Sequence, residues 1–314
     1  MRDYNQLNII FFGSPSYSCN VLKTLLTSQH NIAAVVTQNT KNKRDKRTPV
    51  SIYSEANNLD TLYPEDLKSK DFLKKISDYK PDLFIVYAYG KILPQILLDI
   101  PEFGAINIHC SLLPTLRGAA PIQRALLNKD KRTGITFFRI DAKLDQGRII
   151  SSHAYEINDK DDSISLQDCL TNLANKNILN AINLNKSNQS LIPQDESLAT
   201  YASKINKFES VIDWNTSSID IVHKIRAFVD WPVAETQLFG VTIKILQARY
   251  QLSEDENQPG TIIMFNRNEL VFAAKDGYVY VERLQIPGKK VVHINDFFNS
   301  NSAIVSKIKE FLDK

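Results

Sequence analysis

The 314-residue sequence predicts an α/β chain: a doubly wound, mostly parallel sheet domain followed by a smaller, OB-like β-barrel domain. Three observations predict it. Leu7–Phe12 (LNIIFF) and Leu83–Ala88 (LFIVYA) are unbroken apolar runs, the pattern of parallel strands buried on both faces, and helically spaced segments alternate with them. Asn185–Ser197 (NKSNQSLIPQDES) is polar and turn-rich, as linkers are. Beyond it, short alternating runs separated by turns replace the strand–helix alternation. The expected division is 1–184, a linker over 185–203, and 204–314.

Taken in order, Leu7–Phe12 is a central strand broken by Gly13-Ser14-Pro15-Ser16, and Tyr17–Leu26 has helical spacing. Ile32–Val36 is a second strand. A dinucleotide site would need G-x-G-x-x-G at the first turn, and only Gly13 is present, which argues against NAD. Pro49–Asn57 reads as helix, Thr61–Tyr63 as a short strand and Pro64–Tyr79 as a Lys- and Leu-rich helix. Leu83–Ala88 and Ala105–His109 are the next strands. Ala119–Leu127 is a helix with Pro121 in its first turn, where proline is tolerated. Gly134–Ile140 and Arg148–Ile157 are strands, the latter the returning edge, and Ser163–Leu184 closes the first domain as a helix. In the second domain Ile219–Phe228 is helical. Thr242–Tyr250, Gly260–Met264, Leu270–Ala274 and Val279–Gln285 are the barrel strands.

The chemistry concentrates between Ala105 and Gly147. Asn107 and His109 leave one strand on alternate positions, so they share a face. A loop, Ser111–Pro121 (SLLPTLRGAAP), follows, and a second loop carries Leu144-Asp145-Gln146-Gly147. In open α/β sheets ligands sit outside the carboxyl ends of the strands, so Gly13, Gly90 and the SLLP loop should edge one cleft. Taken singly these residues are ordinary: a strand histidine is more often structural, and Asn and Asp near turns serve turn chemistry. Together they place a polarising amide, a proton carrier and its charge partner on neighbouring strand ends. Cys110 beside His109 invites a thiol-nucleophile reading, but adjacent strand residues point to opposite faces.

The pattern N-x-H-x-S-L-L-P-x-x-R-G-x-x-P over Asn107–Pro121, with L-D-Q-G at Leu144–Gly147, resembles the signature of the folate-dependent formyltransferases. The likeness runs through most of the chain. It includes F-G-S-P at Phe12–Pro15, V-Y-A-Y-G-K-I-L-P at Val86–Pro94, and K-x-x-K-x-E-x-x-I-D-W at Lys204–Trp214. G-K-K at Gly288–Lys290 and D-F at Asp296–Phe297 complete it. Arg117–Gln123 (RGAAPIQ) resembles most closely the members that formylate initiator Met-tRNA. The resemblance implies a catalytic formyltransferase domain, a C-terminal domain aiding tRNA binding, and 10-formyltetrahydrofolate as co-substrate, with no metal. It assigns Asn107 to the formyl oxygen, His109 to the oxyanion and proton movement, and Asp145 to pairing with His109 and orienting a relay water. Ser111, Leu112, Leu113, Pro114, Val86, Tyr89 and Gly90 are expected at the folate, and Gly13, Arg117, Gly118 and Gly147 shape the cleft, Arg117 and Gly118 at its far lip. Lys41, Lys43, Arg44, Lys46 and Arg47, five cations opposed only by Asp45, are expected on the tRNA with Lys289 and Lys290. The family more often has a small residue where this chain has Tyr87.

Composition bounds these readings. Hydrophobic residues are 43% and charged residues 23%, as in a globular protein with real cores. No apolar run approaches the roughly 20 residues a membrane helix needs, and neither a signal peptide nor a transit segment is visible. Three separated cysteines suit a reducing prokaryotic cytoplasm, and the five histidines have no metal-ligand spacing. Net charge is +3, and residues 201–314 carry 14 cations and 14 anions, so RNA contact must use local patches. A monomer with no membrane partner is expected. Two other functions stand beside this one. One is a formyltransferase for a small amine, either glycinamide ribonucleotide or a nucleotide-linked amino sugar. The other is a non-catalytic RNA-binding module.

Overall fold

The structure, a computed structural model, describes residues 5–39, 47–187, 191–300 and 302–313. The chain forms two compact units, each built from separate stretches. The first holds the described residues up to 121 with 132–156 and 167–202. The second holds 122–131, 157–166 and the described residues from 203 onward.

The first unit is a seven-stranded sheet. Its strands are β1 (Asn8–Gly13), β2 (Asn31–Val36), β3 (Thr61–Leu62), β4 (Leu83–Tyr87), β5 (Ala105–His109), β7 (Arg132–Arg139) and β8 (Ile149–Glu156); β6 (Arg117–Gly118) and β9 (Tyr201–Ala202) form a separate two-stranded ladder. The order is β3-β2-β1-β4-β5-β7-β8. The pairings from β3 through β5 are parallel, and those of β5 with β7 and β7 with β8 are antiparallel. The apolar runs explain this: Ile9, Ile10, Phe11 and Phe12 are fully buried, as a strand covered on both faces must be. Helices α1 (Ser16–Leu26), α2 (Pro49–Ala56), α3 (Lys70–Asp78), the short α4 (Gln95–Leu98) and α6 (Ser163–Ser187) accompany the strands, with α5 (Pro121–Leu127) between β6 and β7. The helix read over Pro64–Tyr79 begins only at Lys70. Ser69 caps it, its hydroxyl accepting the N–H of Phe72, and Asp66 closes a turn on Lys68 before it. Local polar bonds outcompete helix there.

The strand order reverses between β1 and β4, the switch point at which open sheets bind ligands. Gly13 pairs with Tyr87, and Val86 with Asn107, so the ends of β1, β4 and β5 lie side by side. Tyr87 is buried with its hydroxyl bonded to Thr171 and Gln167 at 3.1 and 3.0 Å.

The second unit is a curled antiparallel sheet, a half-barrel. Its strands are β10 (Glu235–Leu238), β11 (Val241–Leu252), β12 (Ile262–Phe265), β13 (Leu270–Ala274), β14 (Gly277–Gln285) and β15 (Val292–His293), in the order β10-β11-β14-β13-β12 with β15 on β14. Helices α7 (Ser218–Ala227), α8 (Ile294–Phe298) and α9 (Ala303–Leu312) supply Ile221, Ile225, Phe297 and Ile308 to its core. The inserted stretches are tied in by Arg124 to Glu209, Lys129 to Asp220, and the carbonyl of Asp161 to Arg226.

Candidate active site

The site is built on the end of β5. His109 is buried, and its Nε2 lies 2.8 Å from the carbonyl of Leu116. A carbonyl only accepts, so Nε2 carries a hydrogen and Nδ1 is the nitrogen that faces Asp145. Nδ1 stands 3.7 Å from Asp145 Oδ2, beyond hydrogen-bond range but within that of an ion pair. Oδ2 accepts the N–H of Gly118 at 2.8 Å. Asn107, on the same face of β5 and partly exposed, has no hydrogen bond to its amide among the described residues.

The loops are held under strain. Ala88, Leu116 and Asp145 have φ of 52°, 58° and 52°. Such left-handed residues cost on the order of 1–3 kcal/mol each and persist only where their surroundings over-determine them. Those surroundings are present around Leu116. Thr136 Oγ1 accepts the N–H of Leu113 and donates to the carbonyl of Ser111. Ser111 donates to the carbonyl of Thr115. Thr200 accepts the N–H of Leu116 on its hydroxyl at 2.8 Å, and its carbonyl accepts the N–H of Arg117. Gly118, at φ 120°, would place a Cβ 2.7 Å from the carbonyl oxygen of Ala202, and Gly147 would place one 1.7 Å from that of Arg139. Both approaches exclude a side chain.

The other expected residues distribute unevenly. Ser111 and Leu113 are buried, and Leu112 and Pro114 are partly exposed in the same loop. Gly13 is buried at the end of β1, and Gly90 is exposed at φ 80°. Val86 and Tyr89 are both buried in the core cluster, Tyr89 with its ring edge-on to Phe12. In this segment Ala88 is partly exposed and Gly90 exposed. Burial also pushes the Tyr89 hydroxyl up to about 12. Arg117 is no lip. Its side chain is fully buried and bonded to Gln194 and Glu196, because a buried guanidinium needs its donors satisfied. Cys110 is no nucleophile: burial pushes its thiol up to about 11, and its sulfur lies near Tyr87 and Gln167. Arg47 pairs with Glu55 at 3.7 Å. Lys41, Lys43, Arg44 and Lys46 lie outside the described residues. Lys289 and Lys290 are exposed on the turn between β14 and β15.

Sequence reasoning missed Gln194, Glu196 and Thr200. They sit in the polar stretch read as a linker, whose composition is the same for a solvated tether and for a strap that uses its polar groups. Among the described residues no cluster of His, Cys, Asp or Glu suits a metal ion, and no helix is long and apolar enough to cross a membrane.

Residues 7–182 match the family described as formyl transferase, and residues 204–302 match the formyl transferase C-terminal domain. A methionyl-tRNA formyltransferase of Legionella pneumophila (strain Corby) is 36% identical over 299 residues, 94% of this chain and 95% of the relative. One of Pseudomonas entomophila (strain L48) is 39% identical over 94% of this chain and 96% of its own length. Among solved structures, HypX from Aquifex aeolicus in complex with tetrahydrofolic acid superposes with a TM-score of 0.66 at 16% identity, which shows the fold alone. The match covers 93% of this chain and 47% of HypX, so the chain spans about half of that protein.

Proposed function

This chain belongs to the formyl transferase family, and from that premise we propose that it moves the formyl group of 10-formyltetrahydrofolate to the amino group of methionine on initiator Met-tRNA. The observation that carries the chemistry is the Asn107 amide, unpartnered among the described residues, beside the His109–Asp145 pair at a strand end. The relatives matched over nearly their whole length carry the choice of substrate.

The unprotonated amine attacks the formyl carbon, a new C–N bond forms, and negative charge grows on the formyl oxygen. The Asn107 amide donates to that oxygen; one such donor typically contributes about 3–4 kcal/mol. The bond to the folate N10 then breaks, so the amine loses a proton and N10 gains one. His109 takes part through Nδ1, the nitrogen facing Asp145, with Nε2 fixed by Leu116. A proton on Nδ1 makes the ring a cation that favours the oxyanion, with Asp145 as its counterion. Asp145 also orients a relay water. A positioned acid–base group contributes roughly 10²–10⁴ in rate. The folate binds beside Ser111–Pro114 and the exposed Gly90, near the switch point of the sheet. The tRNA is held by the cations of 41–47 and by Lys289 and Lys290. The working unit is a monomer in the bacterial cytoplasm, where charged tRNA is found.

The test is formyl transfer from 10-formyltetrahydrofolate to methionine-charged initiator tRNA, beside glycinamide ribonucleotide and a nucleotide amino sugar. Transfer to the tRNA alone is expected. Transfer to a small amine and not to tRNA overturns the substrate, and no transfer at all leaves RNA binding as the function.

A further inference from the structure

We infer that Gln194 is a positioning residue for Asp145, acting through the backbone of the turn that carries it; the inference rests on the assignment of Asp145 to the reaction. Asp145 stands in the left-handed region at φ 52°, a conformation that aspartate visits more readily than most residues but that still favours glycine. Among the described residues, one side-chain amide holds the carbonyls of this turn, while the Asp145 carboxylate accepts the N–H of Gly118. Gln194 Nε2 donates one hydrogen to the carbonyl of Asp145 and the other to the carbonyl of Gly147, both at 2.8 Å. The turn has little else across it: the bond from Gln146 N–H to the carbonyl of Lys143 is 3.5 Å long.

The orientation of that amide is dictated from behind. Its oxygen accepts from Arg117 Nε and Nη2 at 3.0 and 2.8 Å. A guanidinium has donors only, so the oxygen must face Arg117 and the two hydrogens must face the turn. Arg117 is fixed in turn by a two-pronged bond to Glu196, 2.8 Å on each arm. The order of support is therefore Glu196, Arg117, Gln194, then the carbonyls at 145 and 147. With both hydrogens and its oxygen engaged, Gln194 has nothing left to offer a substrate. Its influence on the reaction must pass through Asp145.

Replacing the amide by a carboxylate separates the two jobs. Gln194→Glu keeps an acceptor for Arg117 and has no hydrogen for the carbonyls. The measurement is kcat and KM for formyl transfer to charged initiator tRNA in four full-length proteins: wild type, Gln194→Glu, Asp145→Asn and the double variant. Gln194→Glu should lower kcat by about 10-fold or more while both KM values stay within about 3-fold, the pattern of an interaction used in the transition state. In the Asp145→Asn background the same change should cost less than about 2-fold, because residues acting as one unit are not additive. A wild-type kcat in Gln194→Glu overturns the inference, as does an equal loss in both backgrounds. If Asp145→Asn alone turns over normally, the assignment of Asp145 falls instead. Should Gln194→Glu not fold, Gln194→Ala is measured the same way, and failure of both to fold makes the residue structural and overturns its positioning role.

Discussion

Asp145 and His30 show how much a single side chain carries here. Asp145→Asn keeps the shape and an acceptor for the Gly118 N–H but removes the counterion 3.7 Å from His109 Nδ1. The variant should fold and melt like wild type and lose about 100-fold or more in single-turnover rate; a near-normal rate would remove Asp145 from the mechanism. His30 bears on stability. It is buried, and its Nδ1 accepts the N–H of Leu7 at 3.3 Å, which requires that nitrogen to be unprotonated. Burial first, then the charge of Lys186, holds its pKa below the ordinary value. Below about pH 6.5 the unfolded chain therefore binds more protons than the folded one at this position. The stability contributed by the neutral ring is complete above that pH and is lost as the pH falls toward the folded pKa. Between pH 7.5 and 5.5 the melting temperature of wild type should drop further than that of His30→Gln. Equal drops would mean that His30 does not contribute to acid sensitivity.

Among the elements, those defined by burial on both faces were legible and those defined by local polar bonds were not. The runs LNIIFF and LFIVYA read as interior strands, and strands stand there at Asn8–Gly13 and Leu83–Tyr87. Residues 64–69 looked helical by their Lys and Leu content, yet Ser69 and Asp66 spend their side chains on backbone N–H groups instead. Residues on either side of the basic stretch are anchored. Thr37 Oγ1 meets Thr48 Oγ1 at 2.7 Å and Ser14 at 3.4 Å, and the Gln38 amide bonds the carbonyl of Tyr89. Thr37, Gln38 and Thr48 are thus tied to Ser14 and Tyr89 of the first unit. Replacing Lys43, Arg44, Lys46 and Arg47 by Ala should raise KM for Met-tRNA and leave folate affinity alone. The salt dependence should flatten by about 0.7–0.9 in slope for each phosphate that is no longer neutralised. An unchanged slope would leave the loop a solvated surface and move the burden to Lys289 and Lys290.

At the scale of the whole molecule the sequence pattern and the chain path diverge. A strand puts i and i+2 on one face, which pairs Asn107 with His109 in the sequence, and it was the resemblance to the formyltransferase signature that added Asp145 to them. Gln194 and Thr200 could not be named, since nothing local ties a polar stretch 49 residues beyond Asp145 to its carbonyl. The chain also interleaves: 122–131 and 157–166 belong with the residues beyond 203, bonded through Arg124, Lys129 and Arg226. A cut placed by composition, after residue 190, keeps VYAYGKILP and SLLP but discards Thr200 and Gln194. Leu116 would then lose the partner of its N–H, and the turn at Asp145 would lose its amide staple. Left-handed residues without such partners relax toward ordinary backbone, and an ordered loop becomes one that must be ordered on binding. A cut after residue 202 keeps all of these bonds while losing the partners of 122–131 and 157–166. Calorimetry with tetrahydrofolate should therefore rank the full chain first, 1–202 next and 1–190 last, with 1–190 weaker than 1–202 by about 10-fold or more, the loss of roughly 1.4 kcal/mol. Circular dichroism should show all three folded at the titration temperature, with 1–202 melting below the full chain. Equal affinity of 1–190 and 1–202 would show that the strap serves the acid–base pair without shaping the folate side of the cleft.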